Sequence, residues 1–326
     1  RQNYTQRQYF NIVKNQLESE RASFISHWRD LSDYILPRRA QFNLSDVNRG
    51  DKKNQKIIDS TATLAVRTLS SGMMSGITSP ARPWFRLTTP DPDLAEFGPV
   101  KVWLDTVQKR MMTSYLRSNL YNSMPTMYKD LGVFGTSAML IEEDFEGDVI
   151  HTRSFPIGSY CLAKDGKGRV NTFYREFQMT VAQIVETFGE YDQKTGKAKW
   201  ENISVHVKNL WETGNYEAWI NVSHIIMPNR NYNNSGINKF KKFLSYYYES
   251  GTTYDLKDFE NLYLRESGYD YFPVLCPRWE VTGNDVYATS CPGMEALGDI
   301  KQLQHGEKRI MEAVDTVSYT HLRAHE

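Results

Sequence analysis

Residues 120–155, LYNSMPTMYKDLGVFGTSAMLIEEDFEGDVIHTRSF, hold the change of period on which the fold class turns. Up to Phe134 the pattern is helical, and Gly132 and Gly135 frame the end of that helix. Gly135 suits the left-handed position just past the last turn, because it has no Cβ to clash there. From Ala138 onward the period falls from about 3.6 to about 2. Ala138 to Glu143 and Val149 to Phe155 then read as a hairpin across Glu146-Gly147-Asp148.

Upstream of this switch the chain reads as helices. Residues 4–36 carry an apolar stripe through Phe10, Val13, Leu17, Phe24, Ile25, Trp28, Leu31 and Ile35, closed by Pro37. A polar loop from Asn43 to Gln55 leads to residues 57–85, IIDSTATLAVRTLSSGMMSGITSPARPWF. There Ile58, Ala62, Ala65, Leu69, Met73 and Ile77 recur at helical spacing, with Ser60, Ser70, Ser71, Gly72, Ser75 and Gly76 between them. Asp59 or Ser60 can serve as N-cap. Each glycine costs a helix about 1 kcal/mol relative to alanine, which a free-standing surface helix has no reason to accept. The small face therefore predicts a close neighbour, either an ordinary core partner or another subunit. Pro80 and Pro83 end the helix, and Trp84 and Phe85 anchor the segment beyond it. Asp91 to Pro99 reads as a loop, and Val100 to Leu116 as another helix.

Downstream, a second hairpin joins Tyr160–Ala163 to Arg169–Met179. Thr180 caps a short helix over Val181–Phe188, ended by Gly189. Gln193 to Lys199 is a polar turn, and Ile203, Val207, Leu210 and Trp211 mark a further helical face closed by Gly214. Strands are predicted over Ala218–Ile226, around Phe240–Tyr248, over Leu262–Arg265 and over Pro273–Val281, and a final helix over Met294–Asp315. Helices first, an antiparallel sheet region next and a helix last make the fold class α+β.

The charges balance, 39 basic against 39 acidic, which argues against a strongly basic nucleic-acid-binding domain. Twenty Tyr, fifteen Phe and seven Trp argue for wide packed or interfacial surfaces. Cys161, Cys276 and Cys291 are scattered with no CxxC, so reduced thiols are expected and a structural zinc site is not. No apolar run approaches the ~20 residues of a membrane span. The chain opens on Arg1, so its true start is expected to lie upstream. The last ten residues, VSYTHLRAHE, resemble translated sequencing-adapter read-through. Residues 317–326 are set aside on that ground, although His321 and His325 stand at the i, i+4 spacing of a helical metal pair.

Chemistry is sparse. Gly166-Lys167-Gly168 is too short for a phosphate-cradling loop and sits between strands. Glu142-Glu143-Asp144 has the composition of a metal-binding carboxylate run, yet alternation along a strand points neighbours to opposite faces. His224 lies within an apolar strand and reads as a core histidine, and Asp91 and Asp93 read as turn residues around Pro92. No catalytic residue, cofactor site or metal site is assigned. The enzyme reading that remains is a soluble hydrolase using the acidic cluster near Glu142.

Several segments together resemble the head-to-tail connector (portal) proteins of short-tailed, podovirus-type bacteriophages. They are Trp28-Arg29-Asp30-Leu31 with Tyr34 to Arg38, and Asp59-Ser60-Thr61-Ala62 running to Pro80 and Trp84-Phe85. Ser118 to Tyr121 and Phe134-Gly135-Thr136 continue the match. Pro277-Arg278-Trp279, Tyr287 to Gly293 with Pro292, and Ala296 to Lys301 with Asp299 complete it. Cys291 departs from the small or polar residue expected there. The resemblance implies a ring, usually of twelve subunits, at one capsid vertex of the virion, assembled in the host cytoplasm. It implies capsid and scaffolding proteins, terminase and tail adaptors as partners, and double-stranded DNA passing through without specific binding. In that frame residues 1–136 are the helical part of an outer wing, 137–293 its α+β part and 294–316 the start of a stem helix. Asp59, Ser60, Ala62, Gly72, Gly76, Pro80, Trp84, Phe85, Gly135, Arg278, Trp279, Pro292 and Asp299 are its structural and assembly positions.

Overall fold

A computed structural model describes residues 5–44, 50, 53, 55–192, 194–250 and 262–323, with side chains through Val317. His321 and His325 therefore lie outside the described side chains, as do positions 45–49, 51, 52 and 54 of the predicted loop and Gln193 of the polar turn. The chain divides into two compact units. One holds Arg1–His27, Gln41–Arg49 and Gly158–Pro273, and the other holds Trp28–Ala40, Gly50–Ile157 and Val274–Glu326.

The first unit is built on a five-stranded antiparallel sheet, β3 (Tyr160–Lys164), β4 (Val170–Thr180), β5 (Trp219–Pro228), β6 (Phe243–Glu249) and β7 (Arg265–Tyr269), in that spatial order. Period-2 alternation splits its residues between two cores. Ile225, Met227, Leu244 and Tyr248 pack on Phe10 and Leu17 of α1 (Gln6–Tyr34). Ile220, Val222 and Tyr247 pack on the other side against α6 (Val181–Phe188) and α7 (Val205–Glu212). Thr180 and Gln183 form a reciprocal capping box at the start of α6. The buried Glu249 carboxylate accepts from the Ser204 N–H at 3.1 Å and hydroxyl at 2.8 Å at the start of α7, and burial raises its pKa.

The second unit contains the end of α1, then α2 (Thr61–Ile77), α3 (Pro92–Glu96), α4 (Gly98–Arg117) and α5 (Leu120–Phe134). It also contains a sheet in the order β2 (Val149–Phe155), β1 (Ala138–Asp144), β8 (Val274–Leu275), and the long α8 (Pro292–Arg323). The central helix is α5, which buries Leu120, Met124, Met127, Tyr128, Val133 and Phe134. Its buried Asp130 takes Nε and Nη2 of Arg39 at 2.7–3.0 Å, and Arg39 also reaches the Ser154 hydroxyl and the Phe155 carbonyl. One loop side chain thus ties α5 to β2. The free edge of β2 is answered at Thr152, whose N–H and C=O bond the Asn119 side-chain amide at 2.8 Å each. An edge strand left open there would be a template for pairing with another chain.

The α+β class and the order of elements stand as read. Several boundaries differ. The predicted loop over Asp91–Pro99 instead holds α3 and the start of α4: the Asp91 carboxylate accepts from the Asp93 and Leu94 N–H groups as the N-cap of α3, with Pro92 at the first helical position. The predicted strand over Pro273–Val281 is two residues long, and Asn238–Phe240 is a 3-10 turn ahead of β6. The backbone stays helical through Arg323, across Val317, where the sequence pattern reads as breaking. Ile310, Met311, Val314 and Val317 are all exposed, so no packed stripe decides where that helix stops.

Candidate assembly surface

α2 does not bury the face its apolar spacing predicts. Val66 and Ser70 are buried, while Ile58 and Ile77 are 42 % and 55 % exposed. Ile58 lies ahead of the helix, and within it the repeat drifts: at about 100° per residue Ile77 lies about 60° around from Ala62. The inner stripe instead carries Ser70, whose hydroxyl bonds the Pro125 carbonyl at 2.8 Å. Close approach to α5 is supplied from the other helix. A Cβ on Gly132 would meet the Leu69 Cδ2 at 2.7 Å. Gly72 and Gly76 are exposed, with nothing within 4 Å of where a Cβ would stand.

At the base of α2 the first turn is held by a side chain from α8. Gln304 Oε1 accepts from the Ile58 and Asp59 N–H groups at 2.6 and 2.8 Å, and its Nε2 donates to the Asp59 carbonyl at 2.7 Å. The Asp59 carboxylate accepts from the Thr61 N–H at 2.8 Å, whereas Ser60 makes no side-chain cap bond. Asp59 is thus the capping side chain of the two candidates, acting from one residue before the N-cap position. Ala62, Pro292 and Asp299 line one apolar groove of about 410 Å³ between α2 and α8.

Gly135 closes α5 at φ +75°, as its sequence context predicts. Its carbonyl accepts from the Trp279 N–H at 2.7 Å, and a Cβ there would meet the Ala288 Cβ at 2.8 Å. Thr136 bridges Arg278, and Arg278 donates to the Val286 carbonyl at 3.2 Å. Trp279 itself is 40 % exposed. The start of α8 rests on the same place: Gly293 lies against the Val133 backbone, and the Cys291 thiol meets the Val133 carbonyl at 3.2 Å. These contacts gather residues far apart in sequence at the end of α5.

Trp84 and Phe85 pack edge-to-face with ring centroids 4.9 Å apart, Tyr115 lies against both, and the Trp84 Nε1–H donates to the Tyr121 hydroxyl at 3.0 Å. Pro80 is exposed two residues past the helix cap at Thr78. Beyond this cluster the surface is unusually apolar. α4 buries no residue, and Phe97, Val102 and Trp103 are 58 %, 67 % and 64 % exposed.

The acidic run is spread along the β1–β2 hairpin. Glu142 lies 4.0 Å from Arg153, and Asp144 accepts from the Gly147 N–H within the turn. Glu143, Glu146 and Asp148 are all exposed. Among the described residues no group of three or more His, Cys, Asp or Glu side chains is placed to hold a metal ion. His224 is fully buried, stacked on Tyr247 at 3.8 Å with its Nε2 3.0 Å from the Ser245 hydroxyl. Among the described residues no helix is long and apolar enough to cross a membrane.

Sequence reading missed the contacts made by Gln304, Gly132, Gly293, Asn119 and the Arg39–Asp130 pair. Each acts through a partner 33 to 246 residues away or on another helix, and no local pattern marks it.

The family model of the bacteriophage head to tail connecting protein matches residues 8–326. The portal protein of Salmonella phage epsilon15 is 54 % identical over 301 residues, which is 92 % of this chain and 51 % of that protein. The probable portal protein of Bordetella phage BPP-1 is 44 % identical over the same length and shares. The chain thus spans about half the length of the curated relatives it matches. On a match that runs from α1 through the hairpin and both sheets to the long last helix, the chain belongs to the bacteriophage head to tail connecting protein family.

Proposed function

We propose that the protein is a portal subunit, a structural component of the virion without catalytic function. Copies form a ring, of twelve by family habit, at one capsid vertex, through which double-stranded DNA enters during packaging and leaves at ejection. Capsid and scaffolding proteins, terminase and tail adaptors are its partners, and assembly takes place in the host cytoplasm. The observation that carries this reading is the family match over residues 8–326.

The chemistry of the chain is consistent with it. A ring needs two different surfaces that meet head to tail between copies. The exposed Gly72–Gly76 face and the exposed side chains of α4 and α8 offer surface for such contacts. A conduit must also release its cargo, because every phosphate neutralised adds binding free energy. A formal net charge of zero suits passage better than retention. Electron microscopy of the purified protein is the test. Rings with a central hole are expected, and monomers that persist at high concentration would overturn the proposal.

A further inference from the structure

The tip of the β1–β2 hairpin is exposed and acidic. Phe145 is 80 % exposed, the highest value among the exposed large apolar residues described. Five carboxylates surround it in sequence, Glu142, Glu143, Asp144, Glu146 and Asp148, with no basic residue among them. Val149 closes the turn at φ +72° and is 51 % exposed. A β-branched residue in that region costs about 1–2 kcal/mol, where Gly or Asn would cost less.

The same unit carries a cleft of complementary character. The extended segment Pro83–Thr88 and helices α3 and α4 enclose about 1110 Å³. Its apolar lining includes Trp84, Phe85, Leu87 and the exposed Val102. The cleft continues past Pro83, Asp105 and Gln108 to Arg82 and Lys109. Over this whole length the basic residues are Arg82, Arg86, Lys101 and Lys109, and the acidic ones Glu96 and Asp105, four against two. The backbone of Pro83–Thr88 belongs to no sheet.

We propose that this cleft receives the hairpin tip of a second copy, with Phe145 entering between Trp84 and Val102 and the tip carboxylates facing Arg82 and Arg86. This rests on the self-assembly proposed above. The charges fix the kind of contact. Two acidic tips repel one another, as do two basic cleft rims, so tip meets cleft, and in the ring proposed above that contact runs head to tail. A contact of that kind leaves a free tip on one end of a pair and a free cleft on the other, and therefore propagates.

Two variants at exposed positions test it: Phe145→Ser removes the knob, and Val102→Glu places a carboxylate at the mouth of the cleft. Circular dichroism melts are expected to match the wild type for both. Analytical ultracentrifugation is expected to show self-association weakened at least about tenfold for each variant alone. Mixed, the two are expected to stop at one-to-one dimers, because the mixture retains a single intact tip–cleft pair. A charge exchange, Glu146→Arg with Arg86→Glu, is expected to restore association that either change alone weakens. If both single variants assemble like the wild type, the cleft does not hold a second copy and the inference falls while the ring stands. Variants that stay monomeric when mixed would show that these two surfaces do not meet, which also overturns it. Failure of the wild type itself to assemble would sink the portal proposal and this inference together.

Discussion

Gln304 holds the Asp59 backbone at both ends: its Oε1 accepts the Asp59 N–H at 2.8 Å and its Nε2 donates to the Asp59 carbonyl at 2.7 Å. The side chain is 4 % exposed, and its amide fits the geometry that a neighbouring strand would otherwise supply. Gln304→Leu keeps the bulk and strands the Ile58 and Asp59 N–H groups. A loss of about 1–3 kcal/mol in urea denaturation is expected. Amide exchange at Ile58 and Asp59 is expected to rise more than exchange in α5, which locates the loss at the base of α2.

The Arg39–Asp130 pair is buried on one side and half-buried on the other. Removing one partner leaves the other uncompensated, so Arg39→Met is expected to cost about 3–5 kcal/mol, read by chemical denaturation. Replacing the pair together is expected to cost less than the sum of the single changes, which a double-mutant cycle measures.

Burial raises the Asp130 carboxyl to about 6, against a smaller lowering by Arg39. The folded protein thus binds this proton more tightly than the unfolded chain, where the group titrates near 3.8. Its contribution to stability is therefore fully present below that value and is lost as pH rises through about 6. Asp130→Asn does not titrate. The stability of wild type relative to Asp130→Asn is expected to fall as pH rises from about 4 to about 7, and a flat or rising difference would contradict the burial argument.

Glycines divide into two groups with opposite expectations. A Cβ at Gly293 would stand 2.8 Å from the Val133 Cα, against backbone that has no easy retreat. Gly293→Ala is expected to cost about 1–3 kcal/mol. Gly72→Ala and Gly76→Ala meet nothing and remove helix-interior glycines, so each is expected to raise stability by up to about 1 kcal/mol. Thermal melts of the unassembled protein decide between these signs. In the assembly assay, Gly72→Leu and Gly76→Leu are expected to weaken association more than Ser71→Ala if that face meets another copy.

Asn119 guards the edge of β2, and Asn119→Ala is expected to leave the Thr152 backbone open. Faster amide exchange at Thr152 and a greater tendency to aggregate are the expected outcomes, measured by exchange and by light scattering.

What the sequence reveals here tracks the range of the interaction. The switch of period after Phe134, the Thr180 cap and the left-handed Gly135 are local, and each is legible within a few residues. Asp91 is harder to place, because Asx turns and N-caps use the same side chain and only the five helical residues after it separate the two. The packing of α2 escapes the pattern for a different reason. Small residues announce a close neighbour but not which side it takes, and the glycine that admits α2 belongs to α5. Phe145 and the Trp84 cleft carry no signal as a pair, because charge and exposure acquire meaning only once the turn and the cleft are formed.

α8 is fastened over its first turns and bare from Ile310 to Val317. Gly293 and Cys291 seat it on Val133, Lys301 reaches Asp30 at 2.7 Å, and Gln304 grips Asp59. From Ile310 to Val317 its apolar side chains stand exposed. Such a helix behaves as a cantilever. A sideways load on its outer turns becomes torque at Gln304 and Gly293, and through them on the entry to α2 and the end of α5. Whatever seizes the outer turns therefore holds a handle on the interior of the unit.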